Sequence, residues 1–302
     1  MLSCSKILAN PSTLKITLAA LGFRMRHTLK PLWSYEVEGV MWRLIPVDTA
    51  KIVGEVRGLS KKTASFFCLN QLTGEVLWEG MSFGESWWVG IEAVHKGVIF
   101  FHGFSSPDMP EHKRITAVDL RTGKVLWQND EMTFLSVDDH ALRALARTAR
   151  GKCMYEIDPR TGAILSSTPL TDDEREMIIH QRPDDAEDAI TMPAPLESLD
   201  GLLHHFTPAD LVGEVEGIEL QGLVVFSVHE KRAGRQDDRP NLRSTIKVID
   251  RTSDELLFSA VVSEGSSSVA SGSFFVQHDT LYFVRERNTL TAVHLPTSHG
   301  QE

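Results

Sequence analysis

The chain has 302 residues, of which 42% are hydrophobic and 24% charged, and its formal net charge at pH 7 is −10. This size and composition are typical of a soluble globular protein with a sizeable core, and the acidic balance argues against a general nucleic-acid binder. Cys4, Cys68 and Cys153 show neither metal-ligand spacing nor a disulfide framework. We therefore expect buried thiols at Cys68 and Cys153, which suits a reducing compartment.

Residues 1–30 contain five basic residues and no acidic ones. The apolar run Ile16–Phe23 is too short to span a bilayer and short for a signal-peptide core, so we expect no transmembrane segment. We expect this region to be a disordered arm, or an extension ahead of a start at Met25. The predicted location is the cytoplasm, with export as the alternative.

The segment Ile115–Trp127 organises the rest of the chain. It predicts a β-strand, a tight turn at Thr122-Gly123 and a second strand that ends in tryptophan. Alternating apolar residues favour strands, whereas Asp and Gly favour the turn, and the tryptophan supplies apolar area for packing between sheets. Related segments recur at residues 66–78, 154–165, 246–258 and, incompletely, 290–298.

The spacing of these repeats predicts the architecture. The turn positions are separated by 49, 39, 92 and 44 residues, and they are Gly74, Gly123, Gly162, Asp254 and Ser298. Blades of β-propellers repeat at about 40 to 50 residues. We therefore predict an all-β fold, a single β-propeller of five or six four-stranded blades over residues 31–298. The interval of 92 holds either two blades, one of them degraded, or one blade plus an insertion; we favour six blades.

The two ends of the chain complement each other. The last repeat stops before its Leu-Trp strand, and a matching strand occurs at Leu32-Trp33-Ser34-Tyr35. We predict that this N-terminal strand completes the last blade beside the strand that ends at Leu295. Ring closure of this kind removes exposed sheet edges. Residues 299–302 are expected to be a poorly fixed tail.

The Asp-x-x-Thr-Gly-x-x-Leu-Trp pattern at Asp119–Trp127 resembles the tryptophan-docking repeats of quinoprotein-like β-propellers. The chain is also similar to an uncharacterised bacterial family of small single-propeller proteins. The resemblance covers about residues 31–298 and implies a fold without implying an activity. The paired adjacent cysteines of quinoproteins are missing and no metal site is evident, so we expect no cofactor.

In chain order, the first blade is predicted from Trp42 to Trp78 and the second from Trp87 to Trp127. The second contains a buried strand at residues 97–103, in which Phe100, Phe101 and His102 form strand core with a polar end. A polar loop is expected at 105–113, and the short third blade at 141–157.

Residues 167–200 carry a net charge of −8 and open an excursion that extends to about residue 210. A capping-box pattern at Thr171 predicts a short helix as far as about Gln181. Strands resume at Val212.

The sequence contains no strong catalytic motif, such as a nucleophile elbow, a phosphate loop, a zincin helix or a dinucleotide fingerprint. His204-His205 is expected on a strand, where adjacent side chains point to opposite faces and do not readily share a metal. Asp138-Asp139-His140 is expected to form a solvated turn. We predict no catalytic residue and no metal site.

Two features are candidate binding sites. If Trp87-Trp88 lies on a strand, one ring faces the core and the other faces a surface or a blade interface; blade packing is favoured, and an aromatic binding contact is the alternative. The loop at 231–243 contains candidate contact residues Arg232, Arg235 and Arg239. Together with the acidic segment, this loop either forms solvated excursions or steers a charged partner.

These features favour a non-enzymatic protein-interaction scaffold that uses loops on one propeller face. The alternative is a ligand-binding or quinoprotein-like enzyme acting at the central channel. An enzymatic activity stays open, although the lack of catalytic motifs speaks against one. The predicted partner is a protein, and the sequence specifies neither its identity nor the oligomeric state.

Overall fold

The computed structural model describes residues 28–48, 50–106, 109–149, 151–170, 190–196, 201–233 and 240–296. Within these ranges the fold is all-β, with 22 strands in five antiparallel sheets and one six-residue helix. The predicted fold class is therefore confirmed. The chain divides into two compact units, the larger containing residues 31–191 and 274–293 and the smaller containing residues 192–273.

One sheet of the larger unit joins both ends of the chain. Its strands, in spatial order, are β1 (Pro31–Glu36), β22 (Thr289–His294), β21 (Thr280–Arg285), β20 (Phe274–Gln277) and β14 (Ile190–Thr191). Trp33 lies opposite Ala292, and the hydroxyls of Ser34 and Thr291 are 3.1 Å apart. The predicted pairing of the N-terminal strand with the last strand is confirmed. Ring closure and the number of blades stay predictions.

The other three sheets of the larger unit are four-stranded meanders, in which every strand pairs with the next one along the chain. The first meander consists of β2 (Val40–Val47), β3 (Lys51–Gly58), β4 (Thr63–Asn70) and β5 (Val76–Met81). The second consists of β6 (Val89–His95), β7 (Val98–Ser106), β8 (Met109–Asp119) and β9 (Val125–Asn129). The third consists of β10 (Thr133–Val137), β11 (Leu142–Thr148), β12 (Gly151–Ile157) and β13 (Ile164–Pro169).

Tryptophans connect consecutive sheets of the larger unit in the same way three times. Each indole nitrogen donates a hydrogen bond to a backbone carbonyl beside the turn of the next sheet: Trp33 to Gln71 (3.1 Å), Trp78 to Leu120 (2.8 Å) and Trp127 to Pro159 (3.0 Å). Each ring also covers the glycine of that turn, namely Gly74, Gly123 and Gly162.

The turn glycines have φ values of +72°, +66° and +73°, and Asp254 has +56° at the equivalent position of its own turn. Positive φ is costly for most side chains, and a Cβ on Gly74 would lie 2.6 Å from the Trp33 ring. Glycine therefore meets two demands at this position, for backbone conformation and for space. The predicted turn geometry is confirmed at these four positions.

Apolar side chains fill the space between neighbouring sheets of the larger unit. Phe67 and Leu69 of β4 pack with Tyr282 and Leu290. The opposite face of β4 packs Phe66 against Ile91 and other side chains of the second meander. The β-strand alternation thus supplies one core residue to each side in turn.

The smaller unit contains the fifth sheet. Its strands are β15 (Ala194–Pro195), β16 (Glu216–Leu220), β17 (Leu223–Lys231), β18 (Leu242–Asp250) and β19 (Glu255–Ser266). The helix α1 (Gly201–Phe206) packs Leu203 and Phe206 against Val224, Phe226 and Ile249 of this sheet. Strands β15 to β18 of this sheet lie in the 92-residue interval between Gly162 and Asp254, which also contains β13 and β14 of the larger unit.

Two sequence predictions are corrected. His204-His205 lies in α1 and not on a strand, because Leu203 and Phe206, three residues apart, face the core with helical spacing. The predicted loop at 105–113 is largely strand, since β7 extends to Ser106 and β8 begins at Met109. Pro110 and the polar residues that follow it lie in β8 and do not mark a loop. The helix expected at Thr171–Gln181 lies outside the described residues.

A helix able to cross a membrane does not occur among the described residues.

Burial of His229 on β17 predicts a pH-dependent stability. Its Nε2 accepts a hydrogen bond from the Ala270 amide at 3.2 Å, and burial lowers the pKa of His229 below its ordinary value of 6.5. The folded chain therefore takes up this proton less readily than the unfolded chain. We expect the free energy of unfolding to be fully retained above about pH 6.5 and to fall as the pH drops towards the folded-state pKa.

Urea titrations of the wild type and His229→Gln between about pH 7.5 and 5 measure this dependence. The variant should lose less stability over that range. Equal losses in the two proteins would contradict the prediction.

Candidate functional site

Glu92, His102 and His112 come together on one face of the second meander. They lie on the neighbouring strands β6, β7 and β8, ten residues apart along the chain. On β6, Ile91 pairs with Phe101 and Ala93 pairs with Phe100, so Glu92 is the extra residue of a β-bulge. Gly90, two residues before it, pairs with His102, which places Glu92 and His102 on the same face.

A second bulge brings His112 to that face. His102 pairs with Ile115 and Gly103 with Lys113, so Arg114 is the extra residue on β8, with φ at +72°. Residues three apart on a regular strand point to opposite faces, but the bulge puts His112 and Ile115 on the same one. Arg114 leaves the sheet face to meet Asp130 at 2.9 Å. Bulges of this kind re-aim side chains and are common beside functional sites.

Both histidines approach one oxygen atom of the glutamate. The Nδ1 atoms of His102 and His112 each lie 2.7 Å from Glu92 Oε2. The two imidazole rings are stacked with centroids 3.6 Å apart and planes 6° from parallel. Side-chain exposure is 5% for Glu92, 10% for His102 and 28% for His112, so the cluster is buried but opens to solvent beside His112.

The histidines keep the Glu92 carboxylate charged. Burial by itself raises the pKa of Glu92, but the two imidazoles close to its oxygen, together with their positive charge when protonated, outweigh burial and lower that pKa to about 2. Glu92 is therefore an anion at any physiological pH.

Aromatic and backbone contacts hold the histidines in place. The Phe104 ring meets both imidazoles edge-on at 5.2 Å, and Trp88 packs against Phe104 at 5.6 Å. Thr133 of the next sheet donates a hydrogen bond to the backbone carbonyl of His112 at 2.9 Å. A Cβ on Gly90 would lie 3.1 Å from His102 Nε2, so the absent side chain at Gly90 makes room for the ring.

A buried ion pair on β3 supports the bend that precedes β6. Glu55 accepts a hydrogen bond from Arg57 Nε at 2.6 Å, and both side chains are largely buried. The Arg57 guanidinium also donates to the backbone carbonyls of Trp87 and Val89. An arginine with five fixed donors suits such a junction, because it joins one carboxylate to a carbonyl of the bend and a carbonyl of β6.

Trp87 and Trp88 lie in this bend, before the first residue of β6. The strand condition under which their two orientations were predicted is therefore not met, because Glu85 accepts hydrogen bonds from both of their amides and forms a turn. Trp87 lies beneath two cations, with the Arg57 guanidinium at 5.1 Å and Lys62 Nζ at 5.5 Å from the ring. Trp88 packs towards the histidines through Phe104. Trp87 therefore contacts the two cations, whereas Trp88 belongs to the packing around the histidines.

A cleft of about 860 Å³ lies beside Trp87 in the larger unit. Its walls include the connection between β1 and β2 (residues 37–39) and residues 59–61 of the turn between β3 and β4. Val56 and Phe67 contribute apolar surface, and Leu59 is 53% exposed at the turn. Arg57 lines the cleft and also contacts Trp87, so the two features are continuous.

The remaining predicted residues are less informative. Arg232 is exposed and lies 3.8 Å from Glu230, whereas Arg235 and Arg239 lie outside the described residues. Asp138-Asp139-His140 forms the predicted turn, in which Asp138 accepts hydrogen bonds from the amides of His140 and Ala141.

Cysteine chemistry is not favoured at the described positions. Cys68 is buried as predicted, and burial raises the pKa of its thiol to about 12, so it is not a reactive nucleophile. Cys153 is half-buried, which is more exposed than predicted.

The Glu92–His102–His112 cluster is not predicted by the sequence patterns, which favour strand core for His102 and a loop for His112. The one signal available is the equal spacing of ten residues, which three antiparallel strands joined by hairpins can bring into line. The two bulges that align the faces leave no such mark in the sequence.

One comparison with known proteins gives a match to the part of the chain that contains the histidine cluster. A family model described as a domain of unknown function (DUF4905) matches residues 46–127, which include β3 to β8 and therefore Glu92, His102 and His112. No curated protein matches the chain.

Solved structures similar to the chain share little sequence with it. A bifunctional GH43-CE protein of Bacteroides eggerthii has 10% identity and a TM-score of 0.31 over 92% of this chain and 35% of its own. BBS1N in complex with ARL6DN has 10% identity and a TM-score of 0.33, over 92% and 100%. The Dos1 propeller has 10% identity and a TM-score of 0.27, over 90% and 77%.

The chain thus spans about a third of the first of these proteins, and TM-scores this low carry no argument about function. What the comparisons add is local: the stretch from β3 to β8 that carries the histidine cluster is similar to a domain of unknown function.

Proposed function

We propose that this protein is an interaction scaffold that binds an extended segment of a partner protein in the cleft beside Trp87. The observation that carries the proposal is the cleft itself, about 860 Å³ with an exposed leucine at its rim. Concave sites with apolar walls and a few polar groups are the usual binding places on proteins. An exposed Leu59 beside buried apolar surface supplies an anchor point.

The side chains around the cleft indicate the chemistry of the partner. Glu36, Glu38 and Glu79 line it, against Arg57 and Lys61. Arg57 is already engaged by Glu55, and Lys61 lies 3.3 Å from Glu38. The balance is therefore acidic, and it favours a segment that combines an apolar side chain with lysine or arginine.

Trp87 extends this surface and takes the binding role that the sequence offered as the alternative to blade packing. Its ring is half-buried and in contact with Arg57 and Lys62, next to the turn that forms one wall. Tryptophan and arginine are enriched at the energetic centres of interfaces. The arginine-rich loop and the acidic segment at 167–200 stay candidate steering elements.

The proposal is tested by selecting peptides from a displayed random library on the purified full chain. We expect the selected peptides to be basic and apolar, and we expect Leu59→Asp to weaken their binding by at least about tenfold, since a charge would replace an apolar contact. Leu72→Asp is the matched control: Leu72 is 66% exposed in a turn outside the cleft. Isothermal titration measures both variants.

Equal affinities of the Leu59 and Leu72 variants would remove the cleft from the proposal. Selection of acidic peptides would contradict the inferred partner chemistry. Replacing the acidic residues of segment 167–200 with asparagine or glutamine tests the steering role separately, because it should lower the association rate and keep the strands at both ends of the segment in place.

A further inference from the structure

We propose that Glu92, His102 and His112 form a binding site for a divalent transition-metal ion of the zinc class. This inference is independent of the proposed partner binding, since it concerns other residues on the face of the second meander. Their candidate ligand atoms all lie within 4.8 Å of one another.

The donor set has the chemistry of known metal sites. Two imidazole nitrogens and one carboxylate suit zinc and iron(II), whereas magnesium and calcium prefer oxygen ligands alone. Three protein ligands leave at least one coordination position for water or a bound molecule. Solvent reaches this cluster on the side of His112, which is the most exposed of the three ligands.

His102 supplies an independent observation. Its side chain is nine-tenths buried, and its Nδ1 makes no hydrogen bond, although it lies 2.7 Å from Glu92 Oε2. The nitrogen approaches the carboxylate without the direction that a hydrogen bond needs. A buried nitrogen left in this way costs stability unless something else engages it.

The arrangement of the two rings also favours a cation bound by both imidazoles. Parallel stacking at 3.6 Å turns both Nδ1 atoms towards one place beside Glu92. An ion at that place would bind both imidazoles through the lone pairs of those nitrogens. Metal coordination holds neighbouring ligand atoms about 3.3 Å apart, so the cluster needs to open by about half an ångström.

Neighbouring residues hold the three candidate ligands in position. The space left by Gly90 accommodates the far edge of His102, and Glu55 Oε2 lies 3.5 Å from where a Gly90 Cβ would be. A carboxylate near the second nitrogen of a metal-bound histidine is a common way to orient the ring. Phe104 fixes both imidazoles from the side, and the two bulges fix the strands that carry the ligands.

Metal binding is measured on the untagged full chain after treatment with a chelator and dialysis. Titration with Zn²⁺ against a chromophoric competitor should give one ion per chain, and Co²⁺ should produce visible absorption bands of a nitrogen–oxygen site. Mg²⁺ at the same concentration should compete poorly. We expect His112→Ala to weaken Zn²⁺ binding by at least about 100-fold.

Two further variants make the test specific. Glu92→Gln keeps the side-chain volume and should also weaken binding and change the Co²⁺ spectrum, while circular dichroism checks that each variant is folded. His140→Ala is the matched control, because His140 is exposed in the turn before β11. Wild-type binding no tighter than that of His112→Ala, or an equal loss in His140→Ala, would overturn the proposal and leave the cluster with a structural role alone.

Discussion

Replacing Gly54 with alanine is expected to destabilise the protein by about 3 kcal/mol, the upper end of the usual cost of overpacking a core. Gly54 lies in the middle of β3, directly opposite Phe67 on β4. The Phe67 ring lies over the glycine, and a Cβ there would come 2.0 Å from its Cζ. The ring is fully buried and packs against Tyr35 at 4.9 Å, so it has no free space into which to move.

Urea unfolding followed by circular dichroism measures this loss of stability. Gly84→Ala is the matched control, since nothing lies within 4 Å of the place that its Cβ would take and its φ is not in the left-handed region. The double variant Gly54→Ala/Phe67→Leu should recover part of the loss, because the smaller side chain relieves the overlap. A midpoint for Gly54→Ala within error of that for Gly84→Ala would contradict this account of β3 and β4.

Replacing Trp78 with alanine should cost about 3 kcal/mol or more, because it removes a large apolar contact between two sheets and leaves a cavity. The Trp78 ring covers Gly123, and its indole nitrogen donates to the Leu120 carbonyl at 2.8 Å. Without the indole, that carbonyl loses a partner as well. The same measurement of urea unfolding applies.

Two other substitutions separate the contribution of packing from that of the hydrogen bond and test whether any tryptophan would give the same loss. Trp42→Ala is the control, since Trp42 is 61% exposed and its loss should change stability little. Trp78→Phe keeps much of the packing but cannot donate the hydrogen bond, so we expect an intermediate loss. If Trp42→Ala and Trp78→Ala unfold at the same urea concentration, tryptophan docking does not stabilise the junction between these sheets.

Much of the fold follows from local sequence. The repeat turns have positive φ at Gly74, Gly123 and Gly162, and β1, β5 and β9 each carry a docking tryptophan, so these repeats mark three sheets correctly. The pairing of Trp33 with the last strand is also predictable, because one strand is missing at one end of the chain and present at the other.

The helix α1 and the long hairpin of β7 and β8 are not predictable in this way. In α1 two apolar residues decide the conformation through their contacts with a distant sheet, and six residues are too few for a clear period. In β8 the proline and polar residues indicate a loop, but cross-strand pairing extends the strands past them.

The histidine cluster is hidden for a related reason. Simple alternation along β8 puts His112 on the face opposite to Ile115, and only the bulge at Arg114 reverses this. A bulge depends on the register between two strands, which no single strand specifies. Likewise, the reason for glycine at position 90 is the His102 ring beside it, which the sequence alone does not reveal.

The hydroxyls of Ser34 and Thr291 meet although 257 residues separate them along the chain. A contact of that sequence separation carries a large loop-closure entropy, and chains dominated by such contacts fold slowly. During synthesis β1 leaves the ribosome long before β22 exists. β1 must therefore wait until β22 has been synthesised, and the sheet that contains both strands should be the last to consolidate.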